Sequence, residues 1–187
     1  MFYSIVRGAA SILFKIIYRV EIIGIENIPK EGNYLVCSNH ASNWDPVLVA
    51  VSFPRQIFWM GKKELFKNKF LDSFFKGLGA FPVDREGSDI SAIKSALRVL
   101  KQGELLGMFP EGTRTSGYSK EYVKPGVAML AVKSRSLVIP VRIESNYKLL
   151  SKVKITIGRP KDFSAKEDKV NDYEQISDNI LRTIYSL

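Results

Sequence analysis

Short runs of consecutive apolar residues alternate along the chain with segments whose apolar residues recur at helical spacing. The runs NYLVCSNH, ELLGMF and SLVIPVRI each contain a short, mostly apolar stretch, namely YLVC, LLGMF and LVIPV, as strands buried on both faces do. Residues 89–101, between the first two runs, repeat apolar side chains at the spacing of a helix. This alternation predicts an α/β domain with a largely parallel central sheet flanked by helices.

The length and composition limit the function classes. The chain has 187 residues, which suits one domain, and 28 Lys and Arg residues against 19 Asp and Glu give a net charge of +9. Such a surface attracts phosphorylated substrates, anionic lipid head groups or nucleic acid. A single cysteine, Cys37, excludes an internal disulfide, and one histidine leaves too few ligands for a structural zinc site. We expect a reducing, cytosolic setting.

The spacing of apolar residues in positions 2–20 predicts an amphipathic helix. On a wheel of about 100° per residue, one arc holds Phe2, Ile5, Val6, Ala9, Ile12, Leu13, Ile16, Ile17 and Val20. Three basic residues lie outside the arc and interrupt any apolar run long enough to span a membrane, which needs roughly 18 residues. The arc would either dock on the domain's own core or lie in a bilayer interface. We divide the chain into an N-terminal segment with this helix, residues 1–22, and a domain, residues 23–187. We expect neither a spanning helix nor a signal peptide.

The segment SNHASNWDP contains the only histidine of the chain, His40, five positions before Asp45. Asp45 followed by Pro46 is typical of a helix start, because aspartate caps free amides and proline suits the first helical position. His40 would then lie in a loop after a strand, where open α/β sheets usually bind ligands. Asp45 could accept a hydrogen bond from one imidazole nitrogen and leave the other as a base. Alternatively, Asp45 only caps the helix and His40 is an ordinary loop residue.

The segment FPEGTRT, residues 109–115, follows a predicted strand. Gly112 would let backbone amides approach a ligand. Glu111 and Arg114 supply a carboxylate and a guanidinium fork. The same residues could also form an ordinary turn with a surface ion pair.

The segment GAFPVDR, residues 79–85, ends in Arg85. The Arg85 guanidinium could be presented to a phosphate. The preceding residue, Asp84, could instead neutralise it.

In this order, these segments resemble the glycerolipid acyltransferase family, in particular its bacterial members that acylate 1-acyl-sn-glycerol-3-phosphate. The family's four blocks correspond to residues 39–45, 79–85, 109–114 and 138–141, and the KPGVAMLA segment between the last two is also similar. Thr115, where serine is common, and Pro82 depart from the pattern without removing a functional group.

The resemblance implies an activity. An acyl chain would pass from an acyl thioester to the free hydroxyl of 1-acyl-sn-glycerol-3-phosphate, giving phosphatidic acid in phospholipid biosynthesis. His40 would act as the general base, and Asp45 would orient its ring. The hydroxyl would attack the thioester directly, without an acyl-enzyme. Glycerol 3-phosphate or another lysophospholipid is the alternative acceptor.

The resemblance also implies a substrate site. Arg85 would bind the acceptor's phosphate, and the third block would help form the acceptor site with Glu111, Gly112, Thr113 and Arg114. Lys62, in MGKKELF, would be a second phosphate contact, unless the adjacent Lys63 takes that role or both are only solvated. No permanently bound cofactor and no metal are expected. The co-substrate would be acyl-CoA or acyl-acyl carrier protein.

The implied substrate lives in the bilayer, and this favours membrane docking by residues 2–20. We expect a peripheral, monotopic protein at the cytoplasmic face of the cell membrane, with membrane phospholipid and lysophospholipid as partners. The segment ELFKNKFLDSFFKGLGAF interleaves phenylalanines with lysines. It predicts either a second membrane contact or a core helix with a solvated basic side.

Two other functions have little support in the sequence. A hydrolase would need a nucleophile, but no Gly-x-Ser-x-Gly elbow occurs and Cys37 falls in a predicted buried strand, where thiols are usually inert. A nucleic-acid-binding module is suggested by charge alone, without a recognised signature. We therefore expect no nucleic-acid partner.

Overall fold

The computed structural model describes residues 1–84, 90–163 and 172–187. Within these ranges the chain forms seven strands: β1 (Arg19–Ile23), β2 (Tyr34–Ser38), β3 (Ile57–Lys62), β4 (Ala80–Val83), β5 (Leu105–Met108), β6 (Leu137–Ser145) and β7 (Lys152–Ile157). The α-helices over the same ranges are α1 (Phe2–Ile17), α2 (Asp45–Ser52), α3 (Lys69–Gly77), α4 (Ile90–Lys101), α5 (Gly126–Ser134) and α6 (Tyr173–Tyr185).

The strands form one sheet in the order β1-β7-β6-β2-β5-β3-β4. Every neighbouring pair is parallel except β6 and β7, which are antiparallel. The central strand, β2, pairs with β5 on one side and β6 on the other. The predicted α/β fold with a largely parallel sheet is confirmed.

Side chains of β2 alternate between two apolar layers. Val36 packs in the layer that includes residues of α1 and α2. Leu35 and Cys37 pack in the layer that includes residues of α4, α5 and α6. All three are fully buried, and burying a side chain such as Leu or Val stabilises a fold by about 1.5–3 kcal/mol. Burial on both faces explains why this strand reads as an unbroken apolar run.

Helix α1 packs on the sheet mainly through residues outside the predicted apolar arc. Phe14 is buried, and Ala10 and Ile17 pack against the same core. The helix ends at Ile17, and Arg19 already pairs with Lys152 in the sheet. The α1 helix thus ends before the predicted boundary at residue 22, because residues 19–22 belong to a strand.

Most of the predicted apolar arc of α1 points away from the core. Ile5, Ile12, Leu13 and Ile16 are 63%, 64%, 50% and 67% exposed. The alternative that these side chains dock on the domain's own core is therefore wrong. No helix in the described ranges has both the length and the apolar character needed to cross a membrane.

The parallel strands bring four loops to one edge of the sheet. The sheet contains four neighbouring parallel strands in the order β2-β5-β3-β4. The carboxyl ends of these strands therefore share that edge. The loops after these strands contain His40, Asp84 and Glu111, and Lys62 is the last residue of β3. The fold thereby gathers segments that lie far apart in sequence, at the edge where open α/β sheets usually bind ligands.

Candidate active site

His40 and Asp45 form a buried pair beyond the carboxyl end of β2. Nδ1 of His40 lies 2.9 Å from Oδ2 of Asp45. Asp45 is fully buried, and His40 is only 8% exposed. Nε2 of His40 makes no hydrogen bond to the described part of the chain. A ring held through Nδ1 has its second nitrogen available to accept a proton.

Four donors hold the Asp45 carboxylate. Oδ2 also accepts the backbone amides of Ala41 and Ser42, at 2.7 Å each. Oδ1 accepts the hydroxyl of Tyr147 at 2.5 Å. Helix α2 begins at Asp45, with Pro46 in its first turn, as predicted. However, the Asp45 side chain binds loop amides that precede the helix, so the prediction that it caps the helix amides is wrong.

Asn39 ties the histidine loop to strand β6. Its side-chain Nδ2 donates to the carbonyl of Ile143 at 3.0 Å, and its Oδ1 accepts the Ile143 amide at 2.7 Å. A side-chain amide that exchanges both bonds with one backbone residue acts as a short extension of the sheet. This pairing explains why an asparagine precedes His40.

An aromatic stack supports the His40 ring from one side. Phe109 lies parallel to it, with ring centroids 4.0 Å apart, and Trp59 stacks on Phe109 at 5.2 Å. Gly107 of β5 makes room for the stack, because a Cβ there would come within 2.6 Å of the Trp59 ring. The sequence analysis missed this stack. Its only signal was a glycine inside an apolar strand, which marks a close approach by a neighbour.

The third block is tied to the histidine loop, and its glutamate is buried. The backbone amide of Thr115 donates to the carbonyl of His40 at 2.7 Å. Glu111 is fully buried, and its Oε1 accepts the hydroxyls of Tyr185 at 3.1 Å and Thr115 at 3.3 Å. Burial raises the pKa of the Glu111 carboxyl, although both hydroxyl bonds oppose the shift. A surface ion pair is therefore excluded for Glu111.

Past Glu111, the chain turns outward. Gly112 has φ of +66°, a left-handed conformation that glycine adopts readily, and its amide donates to the Phe109 carbonyl at 3.0 Å. Thr113 and Arg114 are exposed. Arg114 makes no hydrogen bond or ion pair with the described residues. The turn thus presents a guanidinium at the edge that holds His40.

Lys62 is the last residue of β3, at the same edge of the sheet. Its Nζ lies 3.7 Å from Oε2 of Glu64, and its side chain is 57% exposed. Lys63 instead contacts Asp84 at 2.5 Å. The structure therefore leaves Lys62 more accessible to a ligand than its neighbour. Arg85 lies outside the described residues, so its role stays a prediction.

The chain's only cysteine is not available as a nucleophile. Cys37 lies in the central strand, β2, with no exposed surface. Burial strongly raises the pKa of its thiol, which keeps the sulfur protonated and unreactive. The alternative of a thiol hydrolase is excluded. Among the described residues, no group of three or more potential ligand side chains could hold a metal ion.

Sequence comparisons place this chain in a known group of enzymes. Residues 19–144 match the family model described as Acyltransferase. The chain is 35% identical over 164 residues to the 1-acyl-sn-glycerol-3-phosphate acyltransferase of Bacillus subtilis, covering 84% of this chain and 81% of that protein. It is 33% identical over 193 residues to the Streptococcus pneumoniae protein of the same name, covering 98% of this chain and 69% of that protein.

A solved structure has the same architecture. The crystal structure of the 1-acyl-sn-glycerophosphate acyltransferase PlsC from Thermotoga maritima superposes with a TM-score of 0.79 at 25% sequence identity. The match covers 98% of this chain and 78% of that one. The similarity therefore includes both the N-terminal helix and the sheet edge that carries His40.

Proposed function

The chain belongs to the acyltransferase family, and from that premise we propose that it transfers an acyl chain from a thioester to the free hydroxyl of 1-acyl-sn-glycerol-3-phosphate, giving phosphatidic acid. The observation that carries the proposal is the buried His40–Asp45 pair beside the loop of Glu111 and Arg114. The names of the Bacillus subtilis and Streptococcus pneumoniae relatives state this activity for those proteins. The role of the chain would be in phospholipid biosynthesis.

His40 is the general base of the proposed reaction. Its Nε2 takes the proton of the acceptor hydroxyl while that oxygen attacks the thioester carbonyl carbon. Asp45 stabilises the imidazolium through Nδ1. The carbon–sulfur bond then breaks, and the imidazolium returns its proton to the leaving thiolate, so no acyl-enzyme forms. A positioned base contributes about 10² to 10⁴ in rate, and positioning and oxyanion stabilisation supply the remainder.

Cationic groups at the same edge bind the acceptor's phosphate. The exposed guanidinium of Arg114 and the ammonium of Lys62 are the candidates within the described ranges. Family resemblance adds Arg85. Arginine forms paired hydrogen bonds with phosphate oxygens, whereas lysine acts as a point charge. The buried Glu111 braces the turn that carries Gly112, Thr113 and Arg114.

The acyl donor is a thioester of coenzyme A or of acyl carrier protein. Both supply the same reacting group, so the His40 chemistry is identical for either. Donor choice is tested by supplying each one separately. No permanently bound cofactor is needed for this reaction.

The exposed isoleucines of α1 dock the enzyme on the membrane. Apolar side chains on the outer face of a helix gain stability by entering the bilayer interface, and the exposed Lys15 can reach the head groups. The lysophospholipid acceptor is itself a bilayer component. A thioester co-substrate and a reduced cysteine suit a reducing compartment, and this supports docking at the cytoplasmic face as a monotopic protein.

Helix α3 extends this membrane-docking surface. Phe2 of α1 meets Phe74 of α3 edge to face, with ring centroids 5.9 Å apart. None of the residues of α3 is buried, which argues against the alternative of a core helix, and Phe70 is 77% exposed. Lysines flank these rings at positions 67, 69 and 76. Each basic residue near an anionic leaflet contributes roughly 1 kcal/mol.

The decisive experiment is an acyl-transfer assay with purified protein. Lysophosphatidic acid or glycerol 3-phosphate is incubated with each acyl thioester and lipid vesicles, and products are identified by mass spectrometry. We expect phosphatidic acid from lysophosphatidic acid, and a loss of at least about 10² in rate for His40→Ala. Asn43→Ala, an exposed position in the same loop, is the matched control. The proposal fails if neither acceptor is acylated, or if folded His40→Ala retains the full rate.

A further inference from the structure

Tyr147 reaches the catalytic pair from a distant part of the chain. It lies in the connection between β6 and β7, outside every segment that resembles a family block. Its hydroxyl donates to Oδ1 of Asp45 at 2.5 Å, across 102 positions in sequence. The other oxygen of the same carboxylate receives His40 and two loop amides.

We propose that Tyr147 is a positioning residue for His40, acting through Asp45 as the third member of one hydrogen-bonded chain. The inference rests on the proposed role of His40 as base. The Tyr147 hydroxyl is hydrogen-bonded to Oδ1 of Asp45, and Oδ2 of Asp45 is hydrogen-bonded to Nδ1 of His40.

The hydrogen bond from Tyr147 matters because its acceptor, Asp45, is buried. Asp45 has no exposed surface, so water does not replace a lost donor at Oδ1. A buried charged oxygen left without a partner is costly, and the carboxylate would turn to recover one. Such a turn would move Oδ2 away from Nδ1 and release the imidazole orientation.

The loop backbone holds Tyr147 in place. Its φ is +55°, which is uncommon for a residue with a side chain and persists where surrounding contacts enforce it. The Tyr147 amide donates to Oγ of Ser145 at 2.9 Å, and the Leu150 amide donates to the Ile17 carbonyl at 2.7 Å. The Tyr147 ring packs against the core layer of α1 and α2. These contacts fix the Tyr147 hydroxyl in position to donate to Asp45.

The Tyr147 hydroxyl also remains a donor across the working pH range. Burial and the hydrogen bond to Asp45 raise the pKa of its phenol. Among the described residues, the other ionisable groups that face Tyr147 are Tyr18 at the end of α1 and Arg142 on β6. Glu111 faces His40 from the loop after β5.

The same turn would change the hydrogen bond of the His40 ring. With Oδ2 displaced, Nδ1 would lose the acceptor that lies 2.9 Å away. If Tyr147 only packed against the core, loss of its hydroxyl would leave this bond intact.

The first test compares Tyr147→Phe with Tyr118→Phe in the acyl-transfer assay. Both variants remove one phenol that donates to an aspartate, since the Tyr118 hydroxyl donates to Oδ1 of Asp178 at 2.7 Å. We expect kcat to fall about 10- to 100-fold for Tyr147→Phe, the range of one charge-assisted hydrogen bond. Its KM should stay within about twofold of the original, and Tyr118→Phe should match the unmodified enzyme. An unchanged kcat for Tyr147→Phe overturns the proposal.

The second test needs no substrate and separates this inference from the proposed function. His40 is the only histidine, so its ring protons are identified in an NMR spectrum without further assignment. We expect the resonance of the His40 Nδ1 proton, which lies downfield while Nδ1 is bonded to Asp45, to move upfield in Tyr147→Phe. If kcat falls while this resonance stays in place, the hydroxyl serves packing alone and the proposal is wrong. If the resonance moves but neither enzyme acylates an acceptor, the fault lies in the proposed function.

Discussion

The Asp45 and Glu111 carboxyls are both fully buried but have different partners. Asp45 is the first residue of α2, and Glu111 lies in the loop after β5. Asp45 accepts four hydrogen bonds, one of them from the imidazole. The Glu111 carboxyl accepts two hydroxyls through one oxygen. A buried carboxyl needs donors in proportion to its charge. We infer that Asp45 orients the base, whereas Glu111 braces the turn that presents Arg114.

The raised pKa of Glu111 makes stability depend on pH. In the folded protein the carboxyl holds its proton to higher pH than in the unfolded chain, because burial disfavours the charged form. Below the unfolded-state pKa of about 4.3, the carboxyl is protonated in both states and its ionisation does not affect stability. As pH rises through the folded-state pKa, ionisation of Glu111 lowers the free energy of unfolding.

Glu111→Gln removes this cost, since an amide cannot ionise. We expect the variant to gain stability relative to the original protein as pH rises from about 4 to 8. Thermal unfolding at several pH values measures the difference. Glu31→Gln, an exposed position before β2, is the control and should show no such trend. A constant difference between Glu111→Gln and the original across this range would contradict the assignment.

At the scale of elements, helix α1 has two apolar faces with different tasks. The inner face inserts Phe14, whose ring also meets the Trp44 ring in the histidine loop at 5.6 Å. The outer face presents the isoleucines. Deletion of residues 2–20 would remove Phe14 and Tyr18 from the core, so it would confuse docking with folding. Point substitutions separate the two.

Replacing Ile12 and Ile16 by serine should weaken membrane docking without unfolding the protein. Each isoleucine gains about 1.5–3 kcal/mol on leaving water, so vesicle partitioning should fall about tenfold per substitution. Because both side chains are exposed in the free protein, the melting temperature should not change. Vesicle flotation and thermal unfolding measure the two effects.

Phe14→Ala serves as the comparison for the double serine variant, because it opens a cavity in the core. We expect it to lower the free energy of unfolding by about 3–5 kcal/mol. Unchanged flotation of the double serine variant would show that the outer face of α1 does not contact lipid. The α3 surface would then have to account for any membrane binding on its own.

At the scale of the whole molecule, the net charge of +9 adds a long-range attraction to anionic membranes. Apolar insertion depends little on ionic strength, whereas exposed charges are screened within about 10 Å at 0.1 M salt. The two contributions can therefore be separated with salt.

Binding to vesicles that contain phosphatidylglycerol should weaken markedly between about 0.05 and 0.5 M salt. Binding to purely zwitterionic vesicles should be weaker at the start and nearly independent of salt. Co-sedimentation across a salt series measures both. Equal binding to the two vesicle types at low salt would contradict an electrostatic contribution.

Local patterns were sufficient for the architecture and for the centre of the site. Runs such as YLVCS are apolar on both faces because the parallel sheet is covered on both sides, so the strands could be identified from sequence. The spacing of His40 and Asp45 is short enough for one loop to close, and their pairing could be predicted for that reason. The resemblance of four blocks, in order, indicated the activity.

The remaining features depend on contacts between residues far apart in the chain. Tyr147 and Asp45 are 102 positions apart, and Tyr185 and Glu111 are 74. Neither pair leaves a periodic signal, because a hydrogen bond depends on where two loops meet and not on either loop's composition. Helical periodicity likewise shows that α1 is amphipathic, but it does not show which apolar residues face the core.

The sequence by itself therefore determined a parallel α/β sheet, the His40–Asp45 pair and the family. Local hydrophobic patterns predicted the sheet, the short spacing made the pair possible, and the resemblance of four blocks indicated the family. Only the tertiary structure decided that Phe14 anchors α1 while its isoleucines face outward, that Phe109 and Trp59 support the His40 ring, and that Tyr147 completes the partners of Asp45. Those outcomes follow from the order of strands in the sheet, which sets the distant segments that meet at one edge.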